Sequence, residues 1–453
     1  MKFTKMSLVA ALLIGSSAFA IENTKVSGDA KLYYDTTSSK GLQDYSRGQI
    51  ALGLGATTDL VSNVSAGFHA TVLTTLGLEN NLVGGVWAGN ISANGNANGN
   101  HLQSSNGTGW WIDQAWLAAS YGKTTAKVGR MEIDTPLAFT EKWNIAENTF
   151  EAFVVINQDI PDTTLVGAYV GGSNGANGQT VQNAQNGTTP FSGYTTYNDG
   201  AEAAGAALGT NALDAVGGAG AYAVGIVNNS VKPLTVQAWY YNVLQVADAY
   251  WLQADVNVNG ILAGAQYADM TLKNNVTSLV AGTNVNVKAV VDGMPDYDMS
   301  TTAYGLMLGY AMKDVVTVKA AYTSVDDKGV LTIQNTATGD QSKLYTEAWW
   351  NYGVVGQAGA DSYMFNAEAT FATVDFLAQY THADVDHKGA GAAATMDEIA
   401  VTASKSFGPL DATIAYIYTK MDDGLGGNYI TDNDGRNGKK TENRAQAYLT
   451  LNF

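Results

Sequence analysis

Residues 444–453, RAQAYLTLNF, alternate without a break and end the chain on phenylalanine. Successive side chains of a strand point to opposite sides. Ala445, Ala447, Leu449, Leu451 and Phe453 therefore share one face, and Arg444, Gln446, Tyr448, Thr450 and Asn452 share the other. A ladder that is apolar outward, polar inward and finished by an aromatic residue is how a bacterial outer-membrane β-barrel closes.

The other end of the chain agrees. Residues 1–20 carry basic Lys2 and Lys5, an apolar run over 8–14, and Ala18-Phe19-Ala20 before Ile21. That is the pattern of a cleaved signal peptide. Its apolar run is too short for the roughly 20 residues a membrane helix needs, and no other stretch approaches that length. Membrane crossing is therefore expected by strands.

Composition narrows the class. Without Lys2 and Lys5, 22 basic residues face 41 acidic ones, a formal charge of 22 − 41 = −19. Such a balance argues against nucleic acid as a partner and favours traffic in cations. Cysteine is absent, so a secreted chain of this length is expected to be held by one continuous hydrogen-bonded sheet. Six prolines, fifty glycines and twenty-four tyrosines suit many strands joined by tight turns.

Period-2 alternation recurs along the chain. Val26, Gly28, Ala30, Leu32 and Tyr34 oppose Asp29, Lys31, Tyr33 and Asp35; Val64, Ala66, Phe68, Ala70 and Val72 leave His69 inward. Later stretches repeat the design around Val236, Leu252, Val318, Phe365 and Ile414, with Lys319, Asn366 and Glu368 on polar faces. A soluble sandwich would alternate in the same way. Aromatic placement separates the two. Tyr34, Tyr240, Tyr267, Tyr322, Phe371, Tyr380, Tyr418 and Phe453 fall at the ends of apolar faces, as interfacial girdles require.

Connection lengths give a second test. Short connections lie near 60–63, 122–123, 158–162, 228–233, 257–260, 313–314, 373–374 and 407–409. Long ones lie at 76–109, 132–148, 172–217, 273–299, 326–360, 384–395 and 421–441. Only 244–246 breaks the alternation. The expectation is an all-β, transmembrane antiparallel β-barrel of about eighteen strands with short periplasmic turns and long extracellular loops. It forms one domain over residues 21–453. The tracts NGNANGN (94–100) and GSNGANG (172–178) read as surface loops.

Four stretches carry a family resemblance: VSGDAKLYYDT (26–36), WIDQAWLAASYGKTTAKVGR (111–130), MEIDTPLAFTEKW (131–143) and PLTVQAWYYNVLQVADAYWLQADV (233–256). Through them the chain resembles the campylobacter-type major outer membrane porins, distant relatives of the OprD-like porins. The likeness covers the mature chain, with the long loops matching in position rather than in residues. It implies an eighteen-stranded barrel, a homotrimer within outer-membrane lipid and lipopolysaccharide, and passage of ions and small hydrophilic solutes with a preference for cations. It also makes Ca²⁺ in an acidic lumen a candidate ligand, with no cofactor required.

In porins of this architecture one loop folds inward and narrows the lumen. Here the candidate is the segment of about 131–151, which holds Glu132, Asp134, Glu141, Glu147 and Glu151 against Lys142. Carboxylates in a narrow aqueous passage with low-dielectric walls concentrate cations. Asp29, Lys31, Lys319, Glu368 and Arg444 are expected to line the wall, their bases opposing the acidic loop. Solvation of an ordinary surface loop is the competing reading. The facing of Arg130 is left open, since alternation from Val128 aims it outward.

Other readings carry less. DNDG (432–435) imitates part of an EF-hand loop, but Ile430 and Thr441 stand where ligands are needed. His382 and His387 flank Asp384 and Asp386 in an expected outer loop, a metal pattern that equally suits a solvated loop. Trp116, Trp239, Trp251 and one member each of Trp110-Trp111 and Trp349-Trp350 suit either a sugar-stacking slide or girdle and lumen packing. The four histidines sit in no nucleophile constellation, so no enzyme is expected. A plug-bearing transporter is disfavoured because strand-like alternation begins at Val26. An adhesin with long Asn- and Gly-rich loops, or a substrate-specific channel, remains the alternative.

Overall fold

The terminal ladder finds its partner at the opposite end of the sequence. In the computed structural model it pairs antiparallel with the first strand, from Asp29↔Asn452 to Lys40↔Thr441. Gly28 N donates to Phe453 O at 2.6 Å and Phe453 N donates back to Gly28 O at 2.9 Å. This seam closes the sheet into a barrel.

The structure describes residues 22–40, 45–74, 108–142, 145, 147–173, 195–196, 220–244, 246–274, 277–280, 283–293, 296–338, 341–387, 392–423 and 439–453. The expected signal peptide, both low-complexity tracts apart from Gly172 and Ser173, His101 and the DNDG stretch lie outside these residues.

The first hairpins are β1 (Glu22–Lys40), β2 (Tyr45–Val61), β3 (Val64–Thr74), β4 (Thr108–Tyr121), β5 (Thr124–Met131) and β6 (Phe150–Asn157). Next come β7 (Thr163–Ser173), the two-residue β8 (Thr195–Thr196), β9 (Ala221–Asn228), β10 (Leu234–Val243), β11 (Ala247–Val258) and β12 (Ile261–Leu272). A separate small hairpin follows, β13 (Thr277–Val280) with β14 (Thr283–Asn286). The remainder are β15 (Ser300–Met312), β16 (Val316–Val325), β17 (Ala360–Phe371), β18 (Val374–His387), β19 (Ala392–Phe407), β20 (Leu410–Asp423) and β21 (Lys439–Asn452). Setting aside β8, β13 and β14, eighteen strands among the described residues pair with their neighbours around the ring, β7 with β9 and β12 with β15. Each pairing is antiparallel.

One rim is built of tight turns. Asn259 and Gly260 both have positive φ, 50° and 87°, as a two-residue type I′ hairpin demands. Ala372 and Thr373 take the same hand at 50° and 67° with neither Gly nor Asn to ease it. The opposite rim carries the longer connections, apart from the 41–44, 244–246 and 388–391 gaps between strands.

The exterior is the apolar face. Leu306, Leu308, Phe365 and Ile414 are 58–67% exposed, which water would not tolerate as a continuous belt but lipid requires. Among the described residues no helix is long and apolar enough to cross a membrane. Tyrosines pair across neighbouring strands on this face: Tyr240 with Tyr250, Tyr267 with Tyr304 and Tyr322 with Tyr363, their centroids 5.0–5.3 Å apart. Cross-strand aromatic pairs of this kind contribute roughly 0.2–1 kcal/mol each and form the girdle expected from the sequence.

Inside, the structure departs from a uniformly polar lumen. Toward the long-loop rim the inward residues Trp239, Trp251, Met270, Val325, Val385 and Met396 are buried in one apolar cluster with Met131, Leu137, Val330, Ile333 and Val355. The last five belong to the end of β5 and to two connections, 132–149 and 326–359, that fold back into the barrel. Inward apolar residues are stable there because these segments, and not water, cover them.

Two strands also run farther than the sequence suggests. His382, Asp384 and Asp386 sit within β18 rather than in a loop, because the β18–β19 ladder continues to His387↔Ala392.

Candidate functional site

The connection after β5 is a compact inward turn. Thr140 N donates to Ile133 O at 2.7 Å and Thr135 N to Ala138 O at 3.1 Å, closing a small loop around Pro136. Its tip, Leu137, is buried, and Leu137 N donates to the Tyr241 hydroxyl of β10 at 3.3 Å. Apolar Ile133, Leu137 and Phe139 thus anchor the segment, and Glu132, Lys142 and Glu147 are left toward the wall.

Those charges meet the wall in an alternating chain. Glu132 accepts from Gln114 Nε2 at 2.9 Å and from Lys142 Nζ at 2.7 Å. Lys142 lies 3.8 Å from Glu147, Glu147 3.5 Å from Lys31, and Lys31 3.7 Å from Asp29. His69 Nε2 is 3.3 Å from Asp29, and His69 Nδ1 is 2.7 Å from Asp113. Gln114 follows Asp113 on β4, so the backbone of that strand joins the two ends of the chain into a ring. Asp113 reaches it through a bulge: the β3–β4 register passes from His69↔Gln114 to Ala70↔Ile112 and leaves Asp113 unpaired. The bulge turns its carboxylate to the side of His69 and Thr71, whose hydroxyl donates to it at 2.8 Å.

The ring borders an open volume of 340 Å³ that Tyr33, Ile145 and Tyr448 complete. Burial raises the pKa of Glu147; Lys31 and Lys142 oppose that shift and Glu132 reinforces it. Burial works against the charge on Lys142, but its hydrogen bond to Glu132 and the fields of Glu147, Glu132 and Asp134 hold its pKa above the ordinary lysine value.

The other residues singled out from the sequence stand elsewhere. Asp134 pairs with Lys343 and is largely exposed. Glu141 is only 4% exposed; it accepts from Asn335 Nδ2 at 2.9 Å, from Gln341 N at 3.0 Å and from the Thr338 hydroxyl. Glu151 pairs with Arg130 at 2.8 Å. Register sets these two directly opposite each other, two residues from outward Val128 and Phe153, so both leave the ring. Lys319 and Glu368 form an inward pair at 3.0 Å on β16 and β17. Arg444 is buried, paired with Asp35 and with Glu442 at 2.7 Å, and lies 4.0 Å from the Trp350 ring. Phe453 lies on the outer face at the seam.

Sequence reading missed the second inward segment, 326–359. Asn335 clasps the first segment by accepting from Phe139 N at 3.2 Å and donating to Phe139 O at 2.8 Å. Thr336 N adds a bond to Leu137 O at 2.8 Å. The segment then follows the wall: Gln266 Nε2 donates to Lys343 O at 2.8 Å, and Gln379 Nε2 to Glu347 O at 2.7 Å. Its signal was the unusual apolar content of a long connection, Val330, Ile333, Leu344, Ala348 and Val355. Among the described residues no group of three or more His, Cys, Asp or Glu is arranged to hold a metal.

No protein-family model and no curated protein matches the chain. Solved structures do. Acinetobacter baumannii OccAB1 superposes with a TM-score of 0.67 at 11% identity, covering 97% of this chain and 98% of that one. Pseudomonas aeruginosa OccK8 (OprE) gives 0.64 at 15% identity over 96% and 99%. Pseudomonas aeruginosa OpdK, determined with vanillate, gives 0.62 at 11% identity over 95% and 99%. At such identities the likeness is one of fold. With its apolar exterior, girdle and closed seam, the chain is an eighteen-stranded barrel of the bacterial outer membrane, built on the OprD/Occ architecture.

Proposed function

We propose that this chain is a porin, a passive diffusion channel for ions and small hydrophilic solutes, with a preference for cations set by the charged ring. The observation that carries this reading is the ring itself. Four carboxylates, Glu132, Glu147, Asp29 and Asp113, face two lysines and one histidine beside an opening between the first inward segment and the wall. Charges fixed in a narrow passage act at close range on any solute that enters. The aqueous path runs between the segment 132–149 and the wall of β1, β3, β4 and β21. Sequence resemblance supports campylobacter-type kinship, a homotrimer and contact with lipopolysaccharide; we adopt these as part of the same reading.

Liposomes reconstituted with the mature chain should swell in isosmotic solutions of small hydrophilic solutes, faster for small cations than for anions of similar size. A folded, inserted barrel that admits none of them would overturn the proposal and favour a surface adhesin.

A further inference from the structure

A second opening lies beneath segment 326–359, toward the rim of short turns. Its volume is 790 Å³, within the roughly 300–1,000 Å³ of small-molecule sites. Trp349 lines it together with Thr317, Glu368, Asp375, Thr402 and Ser404. None of these belongs to the charged ring.

Trp349 is presented there by a built support. Buried Glu398 accepts from Trp350 N and Asn351 N, each at 2.9 Å, and from Asn351 Nδ2 at 2.7 Å. The Trp350 ring is taken by Arg444 at 4.0 Å. With its neighbours fixed, the half-buried indole of Trp349, packed against the cluster of Ala400, Ala415 and Ile417, supplies the aromatic surface of the opening. The acids around it are already partly engaged, Glu368 by Lys319 at 3.0 Å and Asp375 by the Thr370 hydroxyl at 2.5 Å. Each carboxylate offers about four acceptor positions, so unused ones remain for hydroxyl donors.

We propose that this vestibule is a subsite for neutral saccharides, resting on the pore reading above. The C–H face of a sugar ring stacks on Trp349, and its hydroxyls donate to Glu368 and Asp375 and exchange bonds with Thr317, Thr402 and Ser404. Lys319 offsets Glu368, and Asp314 and Asp375 on the same lining add acceptors for sugar hydroxyls.

The test is current block by maltose, added to the mature protein in a planar bilayer in KCl, with tetraethylammonium as the comparison. Maltose should block in a concentration-dependent way. Trp349→Ala should raise the half-blocking concentration roughly tenfold, Trp349→Phe should raise it less, and both variants should still conduct KCl. Normal conductance without maltose block, or equal block in Trp349→Ala, overturns the subsite. Block by tetraethylammonium alone, lost in Trp349→Ala, overturns it in favour of an organic-cation site. Absence of any KCl conductance would overturn the pore reading, and the subsite with it.

Discussion

A β-carbon on Gly28 would overlap the ring edge of Phe453, whose backbone exchanges two hydrogen bonds with that glycine. A side chain here would push the exposed Phe453 ring aside and crowd Gly53 O at 3.0 Å. Gly28→Ala should destabilise the seam by about 1–3 kcal/mol, read as a lower urea midpoint for the folded barrel. Glu147 gives a second residue-scale expectation. Its carboxyl titrates above the ordinary 4.5, so on acidification it becomes neutral before a carboxylate of ordinary pKa does. Cation preference should fall as pH is lowered through that raised value, and Glu147→Gln should remove the step. An unchanged pH profile in that variant would show that Glu147 does not control the passage.

At the level of elements, the two inward segments stand or fall together. Asn335 is fully buried and joins Phe139 N, Phe139 O and Glu141. Asn335→Ala would take the acceptor from Phe139 N, at about 1–3 kcal/mol, while Phe139 O keeps Asn148 and Glu141 keeps Thr338 and Gln341. The expected result is a noisier and larger single-channel conductance in a barrel that still folds; an unaltered channel would show the clasp to be dispensable. The turn between β17 and β18 is a separate case, because Ala372 and Thr373 both occupy the left-handed region. Replacing Thr373 with Gly should stabilise the barrel by about 1 kcal/mol, measured by urea unfolding. These elements show where sequence reading succeeds and where it stops. The 444–453 ladder and the Asn259–Gly260 turn are local patterns and were legible. Glu141 looked like any acid of its loop, since its burial depends on Asn335, 194 positions away. Asp113 was hidden by a bulge that alternation does not reveal, and segment 326–359 was read as a surface connection because loop length says nothing about direction.

For the whole molecule, one closed sheet with an apolar exterior surrounds two packed inward segments, and the charged ring borders an opening on the β1 side. Lumen filling explains why so many inward residues are apolar, and why only part of the wall keeps water-facing charge. The ring of Glu132, Lys142, Glu147, Lys31, Asp29, His69 and Asp113 is the feature that would decide what passes. The most direct measurement is the reversal potential under a KCl gradient, compared between the unsubstituted protein and Glu132→Gln/Glu147→Gln. The account predicts a potential of cation-selective sign that moves toward zero in the double variant. An anion-selective potential, or one that the two substitutions leave unchanged, would contradict it.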